Sequence, residues 1–284
     1  MKLLVYGAGA LGSLHAALLH EAGHDVSLLA RGERLAVLRR QGGVRLAEED
    51  SPAVRLVPVP VVQHPDGGYE LTAVFVRAHQ VEAVLESLAG REGDVLFLIN
   101  WAAGAGPLGA VIGPERVLLG FPAAGGRLDG DLVRYRATSL MTRLVSMPIG
   151  EPDGRATPRL ERAVHVFRST GINARAEPRI EAWLTTHAAF VAPLGQAVIA
   201  ASGPQALAGD PAAVRGMIRL MRRYLPAPPV PRAFGGLRVL PEGLVAALLR
   251  RFLRSPTAVR GLGTSAAEAG ESERLTEQLR AIGG

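Results

Sequence analysis

The sequence has no cysteine and a single lysine, Lys2, among its 284 residues. Without cysteine the chain cannot form disulfides or thiolate metal sites, and this composition fits a cytoplasmic protein. Long apolar runs are also missing, because no stretch reaches the roughly 18–20 residues that span a bilayer. Since Met1 and Lys2 lead directly into an apolar strand, we expect neither a signal peptide nor a membrane partner.

The chain is rich in apolar residues and in arginine. Hydrophobic residues make up 48% of the sequence, which predicts a globular protein with a substantial core. The formal charge is +6, and the basic residues are almost all arginines dispersed along the chain. A positive excess can indicate nucleic-acid binding. Dispersed arginine beside abundant alanine, glycine and proline is more typical of a GC-rich coding background, so we expect no nucleic-acid partner.

A glycine-rich turn joins the first apolar strand to the first helical stretch, and it reads Gly7-Ala8-Gly9-Ala10-Leu11-Gly12. In a dinucleotide-binding turn, Gly7 allows a tight exit from the strand and Gly9 lets a pyrophosphate approach the backbone. Gly12 lets the helix pack closely on the strand. The backbone amides of Ala10 and Leu11 would face the phosphates at the positive end of the helix dipole. The alternative is a glycine-rich turn with only a structural role.

The end of the second strand indicates which dinucleotide binds. A site for NAD needs a carboxylate there, about 20 residues beyond the glycines, to hold the ribose hydroxyls. The predicted strand Asp25–Leu29 is followed by Ala30 and Arg31, with no acid at its end. A guanidinium can grip the 2′-phosphate of NADP(H) through two charge-assisted hydrogen bonds. We therefore predict NADP(H) as the cofactor and Arg31 as its ligand; a merely solvated arginine is the alternative.

The segment His20-Glu21-Ala22-Gly23-His24 matches the HExxH pattern of zinc peptidases. That chemistry needs both imidazoles on one face of a continuous helix. Gly23 is placed to end the helix, and His24 leads into the next strand, so the two rings would diverge. We predict no metal site.

The order of elements predicts two domains. Residues 1–176 alternate strands with helices and predict an α/β Rossmann-like NADP-binding domain, with a closing strand over Ser139–Ile149. Residues 177–284 are mostly helical and predict an all-α C-terminal domain for substrate binding and dimerisation, with helices such as Glu242–Leu253. The apolar helices could pack within one chain or against a second copy, so a homodimer stays open.

Two residues that directly follow predicted strands are candidates for ligand binding, because α/β sheets bind ligands at the carboxyl ends of their strands. Asn100 follows a buried strand and could hydrogen-bond the substrate or the nicotinamide ribose. Arg77 could bind a carboxylate or the cofactor. The alternatives are an ordinary turn asparagine and a solvated loop arginine.

These motifs together resemble the ketopantoate reductase family, the NADPH-dependent 2-dehydropantoate 2-reductases. Besides the glycine turn and Arg31, the similar segments are Val76-Arg77-Ala78-His79-Gln80, with arginine replacing the family's lysine, Leu98-Ile99-Asn100, and Glu181-Ala182-Trp183. The resemblance implies a Rossmann-like domain, a helical domain and the NADPH-dependent reduction of a small-molecule substrate.

The chain departs from that family at one catalytic position. In the family, a lysine soon after the tryptophan donates a proton to the carbonyl that receives the hydride. Here Trp183 is followed by Leu184-Thr185-Thr186-His187, and the family's substrate-binding serine and glutamate also find no clear match. His187 is the candidate donor, because an unperturbed imidazole has a pKa of about 6.5. A histidine packed within a helix is the alternative.

Three functions are consistent with these observations. The first is an NADPH-dependent reductase of a carbonyl or imine compound other than ketopantoate, with His187 and Asn100 as catalytic residues. The second is a true 2-dehydropantoate 2-reductase with substituted catalytic groups. The third is a sensor or partner subunit that binds NADP(H) without turnover.

Overall fold

The computed structural model describes residues 1–123, 125–136 and 146–283, and it divides into two compact units. The first unit comprises Met1–Val76, Gln80–Ile99 and Ala105–Ile180, and the second comprises Arg77–His79, Asn100–Gly104 and Glu181–Gly284. The last change of unit along the chain comes after Ile180, four residues after the boundary that the sequence predicts.

The later boundary has a local cause in the packing of Ile180. This side chain lies against Gly150 so closely that a Cβ on the glycine would come within 2.7 Å of the Ile180 Cβ. Ile180 is buried, with 1% of its surface exposed, and belongs with the first unit. The segments Arg77–His79 and Asn100–Gly104 belong with the second unit although they follow strands of the first in the chain.

The first unit contains two sheets in the part of the chain that the structure describes. Their strands are β1 (Lys2–Tyr6), β2 (Asp25–Leu29), β3 (Val44–Glu48), β4 (Val54–Val57), β5 (Val61–Val62), β6 (Leu71–Val74), β7 (Asp94–Leu98), β8 (Val117–Gly120), β9 (Gly126–Asp129), β10 (Leu132–Tyr135), β11 (Met147–Gly150) and β12 (Ala174–Ala176). The larger sheet has the order β12-β11-β8-β7-β6-β1-β2-β5, and the smaller has the order β4-β3-β10-β9. Neighbouring strands of the larger sheet are parallel except β8 and β11.

The apolar strands explain why this sheet lies inside the unit. Strands β6 and β8 are buried along their whole length, as expected for a parallel sheet that is covered on both faces. Within residues 1–123, 125–136 and 146–180, the helices of the first unit are α1 (Ala10–Glu21), α2 (Gly32–Gln41), α3 (Val81–Leu88), α4 (Gly106–Ile112) and α5 (Pro158–Arg168). The predicted α/β Rossmann-like architecture is confirmed. Of the predicted strand Ser139–Ile149, residues 139–145 lie outside the described residues, and β11 begins at Met147.

The second unit is helical, as predicted. Among the described residues, its helices are α6 (Ile180–Ala200), α7 (Pro204–Gly209), α8 (Pro211–Tyr224), α9 (Gly236–Val239), α10 (Glu242–Leu253), α11 (Pro256–Gly261) and α12 (Ala266–Ile282). The first residue of α6, Ile180, belongs with the first unit. Helix α10 has the bounds that the sequence predicts, and it buries one apolar face, including Leu249 and Leu253, in a core shared with α6, α7 and α8. Among the described residues, no helix combines the length and the hydropathy that crossing a bilayer requires.

One buried histidine of the first unit makes the stability of the protein depend on pH. His15 of α1 is fully buried, and its ring stacks on Phe75 at a centroid distance of 4.5 Å. Its Nδ1 lies 2.7 Å from the Leu11 carbonyl oxygen, and no described group hydrogen-bonds to its Nε2. Burial lowers the pKa of His15 to about 4, so the ring is neutral in the folded protein at pH 7.

Acidification is expected to destabilise the protein through His15. A histidine in the unfolded chain titrates near pH 6.5. Between that pH and about 4, the unfolded protein therefore binds a proton that the folded protein does not bind. The stabilisation is complete above about pH 6.5 and is lost as the pH falls toward 4. Between pH 7 and pH 4.5 this one group lowers the free energy of unfolding by about 2–3 kcal/mol.

Urea denaturation at both pH values measures this loss. The variant His15→Leu should lose about 2 kcal/mol less than the wild type on acidification. The variant His64→Gln, which alters an exposed histidine, serves as the control and should behave as the wild type does. An unchanged pH dependence in His15→Leu would contradict the assignment.

Candidate functional site

The glycine turn of the first unit has the geometry that its spacing predicts. Gly7 has a φ of +108°, and a Cβ there would lie 2.3 Å from the Phe75 carbonyl oxygen. A Cβ on Gly12 would lie 1.8 Å from the Gly7 carbonyl oxygen, so only glycine lets α1 pack this closely on the turn. A Cβ on Gly9 would meet nothing within 4 Å. The space in front of Gly9 therefore lets a ligand approach the backbone.

The amino end of α1 is suited to an anionic ligand. Gly9 is its N-cap residue, and among the described residues no side chain caps this end and no acid lies in its first turn. The first backbone N–H groups of a helix have no intrahelical acceptor, and the helix dipole adds a partial positive charge there. Ala10 and Leu11 occupy the first two helical positions. The open turn and this helix end together fit the pyrophosphate of a dinucleotide.

Arg34, which the sequence motifs do not single out, holds the glycine turn in place. Its Nε donates to the Ala8 carbonyl oxygen at 3.1 Å, and its Nη2 donates to Ser13 Oγ at 3.3 Å. Ser13 Oγ also donates to the Ala8 carbonyl oxygen, at 3.1 Å. A third bond runs from Nη1 to the Asp131 carbonyl oxygen. Arg34 is half-buried, and its guanidinium binds the glycine turn and the loop between β9 and β10.

Arg31 lies at the position predicted for the 2′-phosphate ligand, directly before α2, and it is exposed. Its Nη2 donates to the hydroxyl of Tyr6 at 2.5 Å, and its guanidinium lies 5.5 Å from the centre of the Tyr6 ring. No carboxylate among the described residues forms an ion pair with Arg31. Its positive charge is therefore available to an anion.

The two histidines of the HExxH segment do not share a helix. Helix α1 ends at Glu21, and Gly23 turns the chain with a φ of +85°. His24 then lies beside Ser169, with its Nε2 2.9 Å from the serine Oγ. A glycine interrupts the helix between the two histidines, as the sequence predicts, so they do not lie on successive turns of one helix.

In the second unit, one carboxylate joins the two predicted ligand-binding residues. Arg77 Nη1 donates to Glu271 Oε2 at 2.9 Å, and Asn100 Nδ2 donates to Glu271 Oε1 at 2.9 Å. The Glu271 side chain is only 18% exposed. Asn100 Oδ1 is buried, and no described group donates to it. Because a buried amide oxygen without a donor is costly, this atom is suited to accept a hydrogen bond from a bound ligand.

The backbone that carries Asn100 is fixed by contacts within the same unit. Trp101 is buried, and its Nε1 donates to the Gly104 carbonyl oxygen at 2.7 Å. The Ala102 backbone N–H donates to Gln278 Oε1 at 2.9 Å. The sequence motifs identify Asn100 and Arg77 but neither Glu271 nor Gln278. Both partners lie on α12, more than 170 positions along the chain, where no local signal marks them.

His187 lies on α6 one turn after Trp183, and the two rings stack with a centroid distance of 5.2 Å and an angle of 9°. Burial lowers the pKa of His187 to about 4. The expectation of an imidazole that titrates near neutrality is therefore wrong for the folded protein. A neutral imidazole still carries one N–H, so His187 keeps the capacity to donate a hydrogen bond at pH 7.

Comparison with known proteins identifies a family to which this chain is similar. The family model described as ketopantoate reductase PanE/ApbA matches residues 3–145, half of the chain. The 2-dehydropantoate 2-reductase of Archaeoglobus fulgidus is 30% identical over 181 residues, which are 63% of this chain. The matched part spans 57% of the length of that curated relative.

Solved structures share the fold over the full chain. The 2-dehydropantoate 2-reductase of Geobacter metallireducens has a TM-score of 0.71 at 18% identity and covers all of this chain and 93% of its own. A D-mandelate dehydrogenase in ternary complex with NADH and anilino(oxo)acetate has a TM-score of 0.68 at 16% identity, with both chains fully covered. At such identities the likeness concerns the fold alone.

Proposed function

The chain belongs to the ketopantoate reductase PanE/ApbA family of oxidoreductases, and from this premise we propose that it is an NADPH-dependent reductase of a small carbonyl or imine compound. The observation that carries the proposal is the open glycine turn of the first unit together with the exposed, uncompensated Arg31. The turn and α1 would hold the pyrophosphate, and Arg31 would hold the 2′-phosphate. When bound, NADPH supplies a hydride.

The choice of NADPH rests on Arg31 and on the residues directly after β2. The D-mandelate dehydrogenase that shares the fold is in complex with NADH, so the fold alone does not select the phosphate. In this chain β2 ends at Leu29 and the next residues are Ala30 and Arg31, where an NAD site would present a carboxylate. A guanidinium there favours the additional phosphate of NADPH.

The polar cluster of the second unit would bind the reacting molecule. Asn100 Oδ1 would accept a hydrogen bond from a ligand hydroxyl, and Glu271 would keep the carboxamide turned so that this oxygen is available. Glu271 also balances the charge of Arg77. Glu271 is thus proposed as a positioning residue, whereas Asn100 and Arg77 are proposed to contact ligand.

Proton donation is where the proposal departs from the family's lysine-based reaction. The only lysine, Lys2, lies on β1 with its ammonium nitrogen 5.6 Å from the centre of the Tyr69 ring. We propose that His187 serves as a neutral hydrogen-bond donor to the oxygen or nitrogen on which charge develops, and that solvent water supplies the proton that completes the alcohol or amine. An imine that is already protonated would need less help from a donor, so imines remain in the substrate class.

A 2-dehydropantoate 2-reductase activity is the second candidate, and the curated relative of that name at 30% identity supports it. Fluorescence titration with NADPH and NADH, followed in the same cuvette by ketopantoate and then by a panel of other oxo and imine compounds, separates the candidates. Tight NADPH binding followed by oxidation with ketopantoate would establish the second candidate. Tight binding with oxidation only by other oxo or imine compounds would establish the first. Binding without oxidation by any compound would indicate a sensor, and no binding would overturn both reductase proposals.

Substitution of His187 tests its proposed role. His187→Ala is expected to lower kcat about 100-fold, because a lost proton or hydrogen-bond donor typically costs about 10²–10⁴ in rate. The dissociation constant of NADPH should stay within about twofold, since His187 does not bind the nucleotide in this proposal. With its pKa at about 4, the ring stays neutral, so its contribution to kcat should be constant between about pH 6 and 8.

The control for this experiment is His165→Ala, because His165 is an exposed histidine on α5. It should leave kcat and the melting temperature unchanged. A His187→Ala enzyme with wild-type kcat and a lowered melting temperature would identify His187 as a packing residue.

A further inference from the structure

The side chain that restrains Arg31 is itself held by a chain of hydrogen bonds. Tyr6 is the last residue of β1 and is only 4% exposed. Its hydroxyl accepts from Arg31 Nη2 at 2.5 Å and lies 3.0 Å from Ser87 Oγ on α3. Ser87 Oγ lies 2.8 Å from the Val84 carbonyl oxygen. The contacts therefore run from an exposed guanidinium to the backbone of a helix.

The chemistry of arginine fixes the direction of the hydrogen bond between Arg31 and Tyr6. Arginine can only donate, and a carbonyl oxygen can only accept. Ser87 has one hydroxyl proton, and both the Tyr6 hydroxyl and the Val84 carbonyl oxygen lie within hydrogen-bond distance of its Oγ. When that proton goes to Val84, the Tyr6 hydroxyl donates to Ser87 Oγ and accepts from Arg31. In this arrangement the hydroxyl groups of Tyr6 and Ser87 each donate one hydrogen bond and accept one. The Tyr6 oxygen is thereby held as an acceptor that faces Arg31.

The hydrogen bond to Tyr6 leaves most N–H donors of Arg31 available to an anion. A guanidinium has five N–H donors, and the hydrogen bond to Tyr6 uses one of them. The positive charge also lies over the face of the Tyr6 ring, 5.5 Å from its centre, which favours one orientation of the side chain. Arg34 differs, because its donors go to Ala8, Ser13 and Asp131. Arg31 is thus oriented and still free to bind phosphate.

We propose that Tyr6 and Ser87 are positioning residues that set the preference for NADPH over NADH by orienting Arg31. This inference rests on the proposed binding of NADPH. A mobile arginine must lose side-chain freedom when it grips a phosphate, and a side chain that is already ordered loses less. The gain appears only with a nucleotide that carries the 2′-phosphate. A tyrosine that merely filled the core would affect NADPH and NADH alike.

The test is the ratio of the two dissociation constants in Tyr6→Phe, measured by fluorescence titration. This variant keeps the ring and removes the hydroxyl. The dissociation constant of NADPH is expected to rise about fivefold to tenfold, and that of NADH to stay within about twofold. Titration with 2′,5′-ADP should show the same loss as NADPH. Ser87→Ala should shift the ratio in the same direction by a smaller factor.

A matched control exists in the smaller sheet of the same unit. Arg55 Nη1 donates to the hydroxyl of Tyr135 at 2.5 Å, and the Arg55 guanidinium lies 5.3 Å from the centre of that ring. Tyr135→Phe therefore removes the same kind of arginine–tyrosine hydrogen bond at a place with no proposed ligand. It should leave both dissociation constants unchanged.

Nucleotide binding by the wild-type protein distinguishes a failure of this inference from a failure of the proposed function. If the wild type binds neither nucleotide, or binds both equally, the proposed NADPH preference fails and the role of Tyr6 falls with it. If the wild type prefers NADPH and both Tyr6→Phe and Ser87→Ala keep the full ratio, only the positioning role is overturned. A Tyr6→Phe protein that does not fold leaves Ser87→Ala to decide.

Discussion

Replacing Arg31 by alanine is expected to weaken NADPH binding about 100-fold and to change NADH binding less than about threefold. A hydrogen bond to a charged group contributes about 1.5–3 kcal/mol, and a guanidinium makes two such bonds to a phosphate. Two bonds at the lower value give about 3 kcal/mol, which corresponds to roughly 100-fold. NADH lacks the phosphate that these bonds require.

Titrations of the purified variants with both nucleotides measure this effect. Arg31→Lys keeps the charge but loses the planar pair of donors, so its NADPH affinity should fall between those of the wild type and Arg31→Ala. Arg39→Ala is the matched control, because Arg39 is an exposed arginine on the same helix, α2. Equal losses for NADPH and NADH in Arg31→Ala would overturn the assignment of the 2′-phosphate site.

Replacing Arg159 by methionine is expected to lower the free energy of unfolding by about 3–5 kcal/mol. Arg159 is the partner of Glu151, a carboxylate that is only 3% exposed, and its Nε donates to Glu151 Oε1 at 2.7 Å. Its other nitrogens donate to Asp94 and to the carbonyl oxygens of Glu115 and Val117. Without the guanidinium, Glu151 stays buried, and Thr157 is its remaining side-chain donor among the described residues.

The same segment offers a control for this prediction. Arg155 forms an ion pair with Asp153, but its side chain is 78% exposed. Exposed pairs of this kind contribute little to stability because water and salt screen them, so Arg155→Met should leave the urea midpoint close to that of the wild type. Urea denaturation at pH 7 compares the two variants. A loss below about 1 kcal/mol in Arg159→Met would show that the network relaxes around a lone Glu151.

The local part of the fold could be predicted because its causes lie within a few residues. The spacing of Gly7, Gly9 and Gly12 predicts a turn with no room for a Cβ at the first and last of them, and the structure has that turn. Helix α10 begins and ends where its apolar periodicity does. Strands such as β6 are continuously apolar because both faces of the sheet are covered.

The partners of the candidate site residues could not be predicted in this way. Glu271 lies 194 positions from Arg77 and 171 from Asn100. Nothing near either residue indicates a carboxylate on α12. The same holds for Tyr6, which looks like an ordinary strand residue and meets Arg31 25 positions away.

The sequence by itself determined the succession of strands and helices, the glycine turn with an arginine after β2, and the absence of a lysine beyond Lys2. The elements and the turn arise from backbone sterics and from the period of apolar residues, which act over short distances along the chain. Only the tertiary structure decided which side chain faces which, and how deeply each is buried. The pKa of His187 falls to about 4 because of its burial, and burial depends on how distant segments pack.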